Sequence, residues 1–267
     1  MKFALPPIQE CKQFSKTQII QCYQSAAWQK FVTFDAHYQI KPTTMVVYDL
    51  SERPLNGVIN SVIIDQIAGI ILSPARPRRL FMNFMKNRVF NSYFQVGCRQ
   101  ALGYRHNHAL SFGNLCFMSA FGHRAGRSSD WIGLHYMQDY HLSAAGCRFC
   151  CPGGYTFLLT EVPSNFSQAL GEVITHNSLA STLIEQAMAE SGQRLVSSSL
   201  LYRDEYVQTA ELREAVAQYT ASDLVRTTAA KSLEVYGRNF SREHGLTWSA
   251  QAHYLSRQAA LRTRLFH

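Results

Sequence analysis

Two imidazoles one residue apart, in His106-Asn107-His108, are the pair in this 267-residue chain best spaced for shared chemistry. Alternate residues of a β-strand face the same side, so both rings can reach one metal ion. Two imidazoles alone do not complete a metal site, and a carboxylate or further imidazole would have to join them. Here Ala109-Leu110-Ser111-Phe112 follows, and His123, His135 or His141 would have to complete the set. A polar turn between two strands accounts for the same residues without a metal.

Cys147-Arg148-Phe149-Cys150-Cys151 is similar to half of a zinc knuckle. Structural zinc takes four ligands, usually from two such pairs. The other cysteines (Cys11, Cys22, Cys98 and Cys116) form no second pair, so His135 or His141 would have to substitute. A partly buried cysteine cluster is the plainer reading. With ten histidines and seven cysteines, nucleophile–base pairings arise by chance, and no surrounding motif singles one out. There is no Walker-type phosphate loop and no dinucleotide fingerprint. No catalytic residue, metal or cofactor is assigned, and the expectation is a protein that is not an enzyme.

Positive charge is a further signal, one that fits nucleic acid, an anionic small ligand or no particular partner. Lys and Arg number 26 against 18 Asp and Glu, a net charge of +8, which favours acidic partners. Arg76-Pro77-Arg78-Arg79 reads either as a phosphate-binding patch or as a solvated loop. Residues 226–267 hold Arg226, Lys231, Arg238, Arg242, Arg257, Arg262 and Arg264 against Glu234 and Glu243. That excess suits phosphate contacts, which give affinity without sequence choice. Arg238, Arg242, Arg257 and Arg262 are the candidate DNA contacts; a basic solvated helix is the alternative.

The elements that must position these groups come from periodicity. Residues 8–31 read as helical, with Ile19, Ile20, Tyr23 and Trp28 as a buried stripe. Met45-Val46-Val47-Tyr48 has strand composition, and Ser51-Glu52-Arg53-Pro54 is a turn. Val58–Leu72 is rich in β-branched residues and broken at Asp65-Gln66 and Gly69, which predicts two paired strands. Tyr93–Val162 reads as strands punctuated by turns. In it Phe94-Gln95-Val96 alternates, and His108–Met118 forms two strands joined at Gly113-Asn114. Breaks fall around Gly122–Asp130 and at Pro152-Gly153-Gly154. Ser167 onward is helical, and no proline follows Pro163. The seven cysteines do not space as a disulfide framework, and prolines 6 and 7 interrupt any leader-like apolar run. No stretch nears about 18 uninterrupted apolar residues. A cytoplasmic protein with reduced thiols and no membrane partner is expected.

The order of elements resembles the AraC/XylS transcriptional regulators, specifically the XylS-like branch. Four segments carry this resemblance. Arg53–Ile59 leading into Ile67–Leu72 is similar to that family's opening strands, and Tyr93–Val96 with Ala109–Met118 to its strand-turn-strand core. Phe157–Pro163 is similar to the closing strand, and Ala221–Arg242 to the helix joining sensor to DNA-binding domain. The resemblance implies an α+β fold: a cupin-like β-barrel over residues 1–165 that binds a small, aromatic or acidic effector. Residues 166–267 would then be a helical dimerisation and linker segment. It implies a homodimeric, DNA-binding regulator. The two helix-turn-helix units of that family do not both fit in this length; Ser232, Arg238, Phe240, Gly245 and Thr247 fit one partial unit or a linker. Within the barrel Arg53, Tyr104, His106 and His108 are the candidate effector contacts, polar groups near predicted strand ends. The alternative is a cupin-type metal-dependent enzyme using His106 and His108.

Overall fold

The computed structural model describes residues 3–86, 92–105, 108–112, 115–121 and 129–190, with residues 192, 214, 220, 226, 234, 237–238, 241–245 and 249. The chain is an α+β protein with two mixed sheets. Strands β1 (Gln13–Ser15), β2 (Val32–Phe34), β3 (Thr44–Asp49), β4 (Ser61–Asp65) and β5 (Gly69–Ser73) come first. They are followed by β6 (Ala109–Phe112), β7 (Leu115–Ser119), β8 (Trp131–Gly133), β9 (Asp139–Ser143), β10 (Gly146–Cys150) and β11 (Thr156–Leu159). Helices α1 (Lys16–Cys22), α2 (Ala26–Gln29), α3 (Pro77–Lys86), α4 (Ser92–Ala101) and α5 (Phe166–Glu190) intervene.

Seven strands pair in the order β2-β5-β4-β3-β8-β7-β6, and four in the order β1-β11-β10-β9. β3, β4 and β5 form an antiparallel meander, in which β3 is the strand expected at Met45–Tyr48 and β4 and β5 are the two paired strands expected over Val58–Leu72. Their near-continuous apolar runs reflect burial on both faces. Val62, Ile64, Ile70, Leu72, Cys116, Met118 and Ile132 point to one side, into a core shared with Phe14, Phe149, Phe157 and Leu159 of the smaller sheet. Val47, Ile63, Ile71, Leu110, Phe117 and Trp131, one residue out of step, point to the other side and meet Leu80, Phe81 and Phe84 of α3. The period of two thus puts the small sheet on one face and α3 on the other.

The β4–β5 turn depends on Gly69, whose φ is +85° and where an added Cβ would sit 2.7 Å from the carbonyl oxygens of Ala4 and Phe31. Asp65 closes the same turn, its Oδ1 accepting from the backbone N–H of Ile67 and Ala68 at 2.9 Å each.

Three expectations change. Residues 92–101 are α4, not a strand: Phe94, Cys98 and Leu102 recur every fourth residue and pack on Leu179, Ala180, Leu183 and Ile184 of α5. The Phe94-Gln95-Val96 alternation was too short to outweigh that helical period. Residues 8–31 contain strand β1 before two short helices; Ile19 and Trp28 are buried, whereas Ile20 is exposed. Neither sheet closes on itself among the described residues, so the strands there stack as two open sheets where a barrel was expected. The expected helix after Ser167 is α5. Phe166, Ala169, Leu170, Val173 and Ile174 enter the core between the sheets. No described helix is long and apolar enough to cross a membrane.

Candidate nucleic-acid interface

The Arg76-Pro77-Arg78-Arg79 run is the start of a helix rather than a loop. Pro77 occupies its first position, where the missing N–H costs nothing and the fixed φ suits the turn. The carbonyl of Arg76 accepts from the N–H of Arg79 (2.9 Å) and Leu80 (3.2 Å). Pro77, Leu80, Phe81 and Phe84 are buried, and Phe81 stacks on Trp131 with ring centroids 4.0 Å apart. That apolar stripe fixes the rotation of the helix. Its opposite face is left to Arg78, Arg79, Met82, Asn83 and Lys86, all exposed, with Arg76 exposed just before it. The helix contains no acidic residue, and none of these basic side chains forms an ion pair with a described residue.

Beside this face lies a groove of about 690 Å³ between α3 and the segment 36–40. Arg79, Asn83 and Lys86 form one wall, His37 and Gln39 stand on the other, and Leu80, Phe84 and Ile40 line it with apolar surface. Among the described residues that line it none carries a carboxylate; Asp35 adjoins the far wall, its Oδ1 accepting from the His37 N–H (2.8 Å). Its far wall is held by Tyr38, whose hydroxyl donates to Asp65 Oδ2 (2.8 Å) and lies 2.6 Å from Thr44 Oγ1. Thr43 donates to the same carboxylate oxygen at 2.8 Å. Burial alone would raise the Asp65 carboxyl; the hydrogen bonds from Ala68, Tyr38, Ile67 and Thr43 outweigh it and hold the group below the usual range. Lys41 lies over the Tyr38 ring, 5.4 Å from its centroid, and adds a further cation beside this wall.

Two polar clusters elsewhere invite comparison with catalytic sites. Ser111 Oγ lies 3.2 Å from His176 Nδ1, and His176 Nε2 lies 3.1 Å from the Gln95 carbonyl. A carbonyl only accepts, so Nε2 carries the proton and Nδ1 accepts from Ser111. Both side chains are buried, so a substrate has no route to the hydroxyl. The same cluster closes a sheet edge: the Gln95 amide bonds the backbone of Ser111 through both its oxygen (2.9 Å) and its nitrogen (2.7 Å). Among the described residues β6 is an edge strand, and this amide stands in for a neighbouring strand on that side. The second cluster joins Asp130 to Lys16 (3.0 Å) and to the Asp49 N–H (2.7 Å), while Asp49 Oδ2 accepts from the Ser129 N–H (3.1 Å). Burial pushes the Asp130 carboxyl up, and the Lys16 ammonium works against that shift.

The sites expected from sequence are distributed differently. His106 lies outside the described residues. The His108 ring Nδ1 is 3.1 Å from the Ser119 carbonyl, at the start of β6. Tyr104 packs against α4 and α5 at the far end of that region. Arg53 is exposed on the β3–β4 turn and shares no hydrogen bond with either. His135 is occupied at both nitrogens: its Nε2 lies 3.1 Å from the Pro42 carbonyl, and its Nδ1 lies 3.0 Å from the Cys116 carbonyl and 3.4 Å from the Cys116 backbone nitrogen. Cys147 is inside the inter-sheet core, where burial pushes its thiol up to about 12. Among the described residues no three metal-ligating side chains cluster. Of the C-terminal arginines, Arg238 pairs with the buried carboxylate of Glu234, and Arg242 is exposed. Arg257 and Arg262 lie outside the described residues.

Sequence reading found Arg76, Arg78 and Arg79 but missed Lys41, Met82, Asn83 and Lys86. The spacing of Arg79, Asn83 and Lys86 at i, i+4 and i+7, opposite Leu80, Phe81 and Phe84, was the available signal. No protein-family model, curated protein or solved structure matches this chain.

Proposed function

We propose that this protein is a DNA-binding transcriptional regulator and that α3 with its adjoining groove is its nucleic-acid surface. The observation that carries the reading is the composition of that face: Arg76, Arg78, Arg79 and Lys86 exposed together, without a carboxylate on the helix or among the described residues lining the groove. Such a surface attracts phosphate and releases counterions on binding. The net charge of +8 supports the same partner class. So does the sequence resemblance to AraC/XylS regulators, although here the contact helix lies among the strands and not at the C-terminal end. A homodimer, as that resemblance implies, would present two copies of α3 to half-sites about one helical turn of DNA apart.

The test is fluorescence anisotropy with a labelled duplex across a salt series. The wild type should bind with an affinity falling steeply as salt rises. Arg78→Ala with Lys86→Ala should weaken binding at low salt and reduce the log–log salt slope by about 2, roughly one per lost phosphate contact. Failure of the wild type to bind any duplex at low salt would sink the reading.

A second reading has its own observation. The groove's volume and its Ile40, Leu80 and Phe84 lining suit a small anionic, partly apolar effector, held by Arg79 and Lys86. Such a ligand would compete with the duplex for the same cations. Benzoate or salicylate added to the anisotropy assay should then release the DNA.

A further inference from the structure

We infer that α3 enters the DNA major groove and reads base edges, with Arg79 and Asn83 choosing the sequence and Met82 resting on thymine methyl groups. This rests on the DNA-binding reading above. A surface that only holds phosphates needs cations and hydrogen-bond donors; an exposed thioether among them serves no phosphate. Met82 is 55% exposed in the middle of the cationic face, one position from Asn83. Arg79 and Asn83 are one helical turn apart on the same side. Arginine pairs in bidentate fashion with guanine O6 and N7, asparagine with adenine N6 and N7, and apolar groups touch the thymine methyl. Arg76, Arg78, Lys86 and Lys41 flank these three and are left for the phosphates.

The dimensions agree. Ten residues make a helix about 15 Å long, and the B-DNA major groove, about 12 Å wide, admits one. The helix is rigidly seated by Leu80, Phe81 and Phe84, so its exposed side chains keep their relative positions. The major groove of A-form RNA is too deep and narrow for the same approach, so duplex DNA is the partner this geometry selects.

The experiment is selection of duplexes from a randomised DNA pool by the full-length wild type and four single variants, with circular dichroism confirming that each folds. Expected is a wild-type motif in which Arg79→Ala loses preference at a guanine and Asn83→Ala at an adjacent adenine, each by about ten- to hundred-fold. Arg78→Ala and Lys86→Ala should weaken all sequences alike and keep the motif. If Asn83→Ala and Arg79→Ala instead weaken every sequence equally, or if duplex RNA of random sequence competes as well as DNA, base reading by α3 is wrong while phosphate binding stands. If the wild type retains no duplex at all, both proposals go. If it selects a motif that none of the four variants alters, DNA binding survives and α3 is not its surface.

Discussion

His176 shows how far a single residue's environment can move its chemistry. It is fully enclosed, with Ser111 on one ring nitrogen and the Gln95 carbonyl on the other, and the Arg99 guanidinium also disfavours a second proton. Burial, the larger cause, brings its imidazole down to about 4 from 6.5. Above the unfolded value both states are neutral and the group has no effect on stability. Below it the unfolded chain takes up a proton that the folded chain refuses, so stability falls as pH drops from about 6.5 towards about 4. The whole effect is on the order of 3 kcal/mol. His135, also depressed by burial, acts in the same direction, whereas the raised Asp130 opposes it. Urea denaturation of wild type and His176→Gln at pH 7 and pH 4.5 isolates the residue. The variant should lose a smaller share of its stability on acidification, and an equal loss in both would contradict the assignment.

At the scale of elements, α3 is the piece whose placement matters most. Its apolar side grips the sheet through Phe81, which stacks on Trp131 and meets Phe117 edge-on at 5.3 Å. Phe81→Ala should cost about 3–5 kcal/mol in chemical denaturation, as large core aromatics do when truncated. Under conditions where the variant stays folded it should also weaken duplex binding, because the helix loses its seat although no exposed cation has changed. Undiminished affinity would show that the binding face does not depend on this packing. Element types were legible wherever the period was long: β3 to β5 from their aliphatic runs, β6 and β7 from the Gly113-Asn114 break, α5 from its composition. α4 was misread because three alternating residues imitate a strand, and its helical period shows only against α5.

At the scale of the whole molecule the two sheets are tied by a shared core and by a charged clip. Lys16, the first residue of α1 and next after β1 of the small sheet, reaches Asp130 beside β8 in the large one. Asp130→Ala should cost about 2–4 kcal/mol, less than for a fully enclosed pair because Lys16 reaches water. Trp28 sits in the core between the sheets and Trp131 in the core under α3. With Trp248 replaced by Phe, versions keeping only Trp28 or only Trp131 should unfold at the same urea concentration. Separate midpoints would show that the sheets are independent units.

The amino-acid sequence by itself determined the hydrophobic periods, the turn at Asp65–Gly69, the cationic excess and the arginine run at 76–79, because these are properties of neighbouring residues. Tertiary structure decided what neighbours cannot: that the strands divide between two open sheets, that Gln95 and His176 meet at Ser111, and that α3 lies with its basic face outward. Strand partners and helix rotation follow from contacts between residues far apart in the chain, and local composition leaves several such pairings nearly equal in energy until the core is assembled.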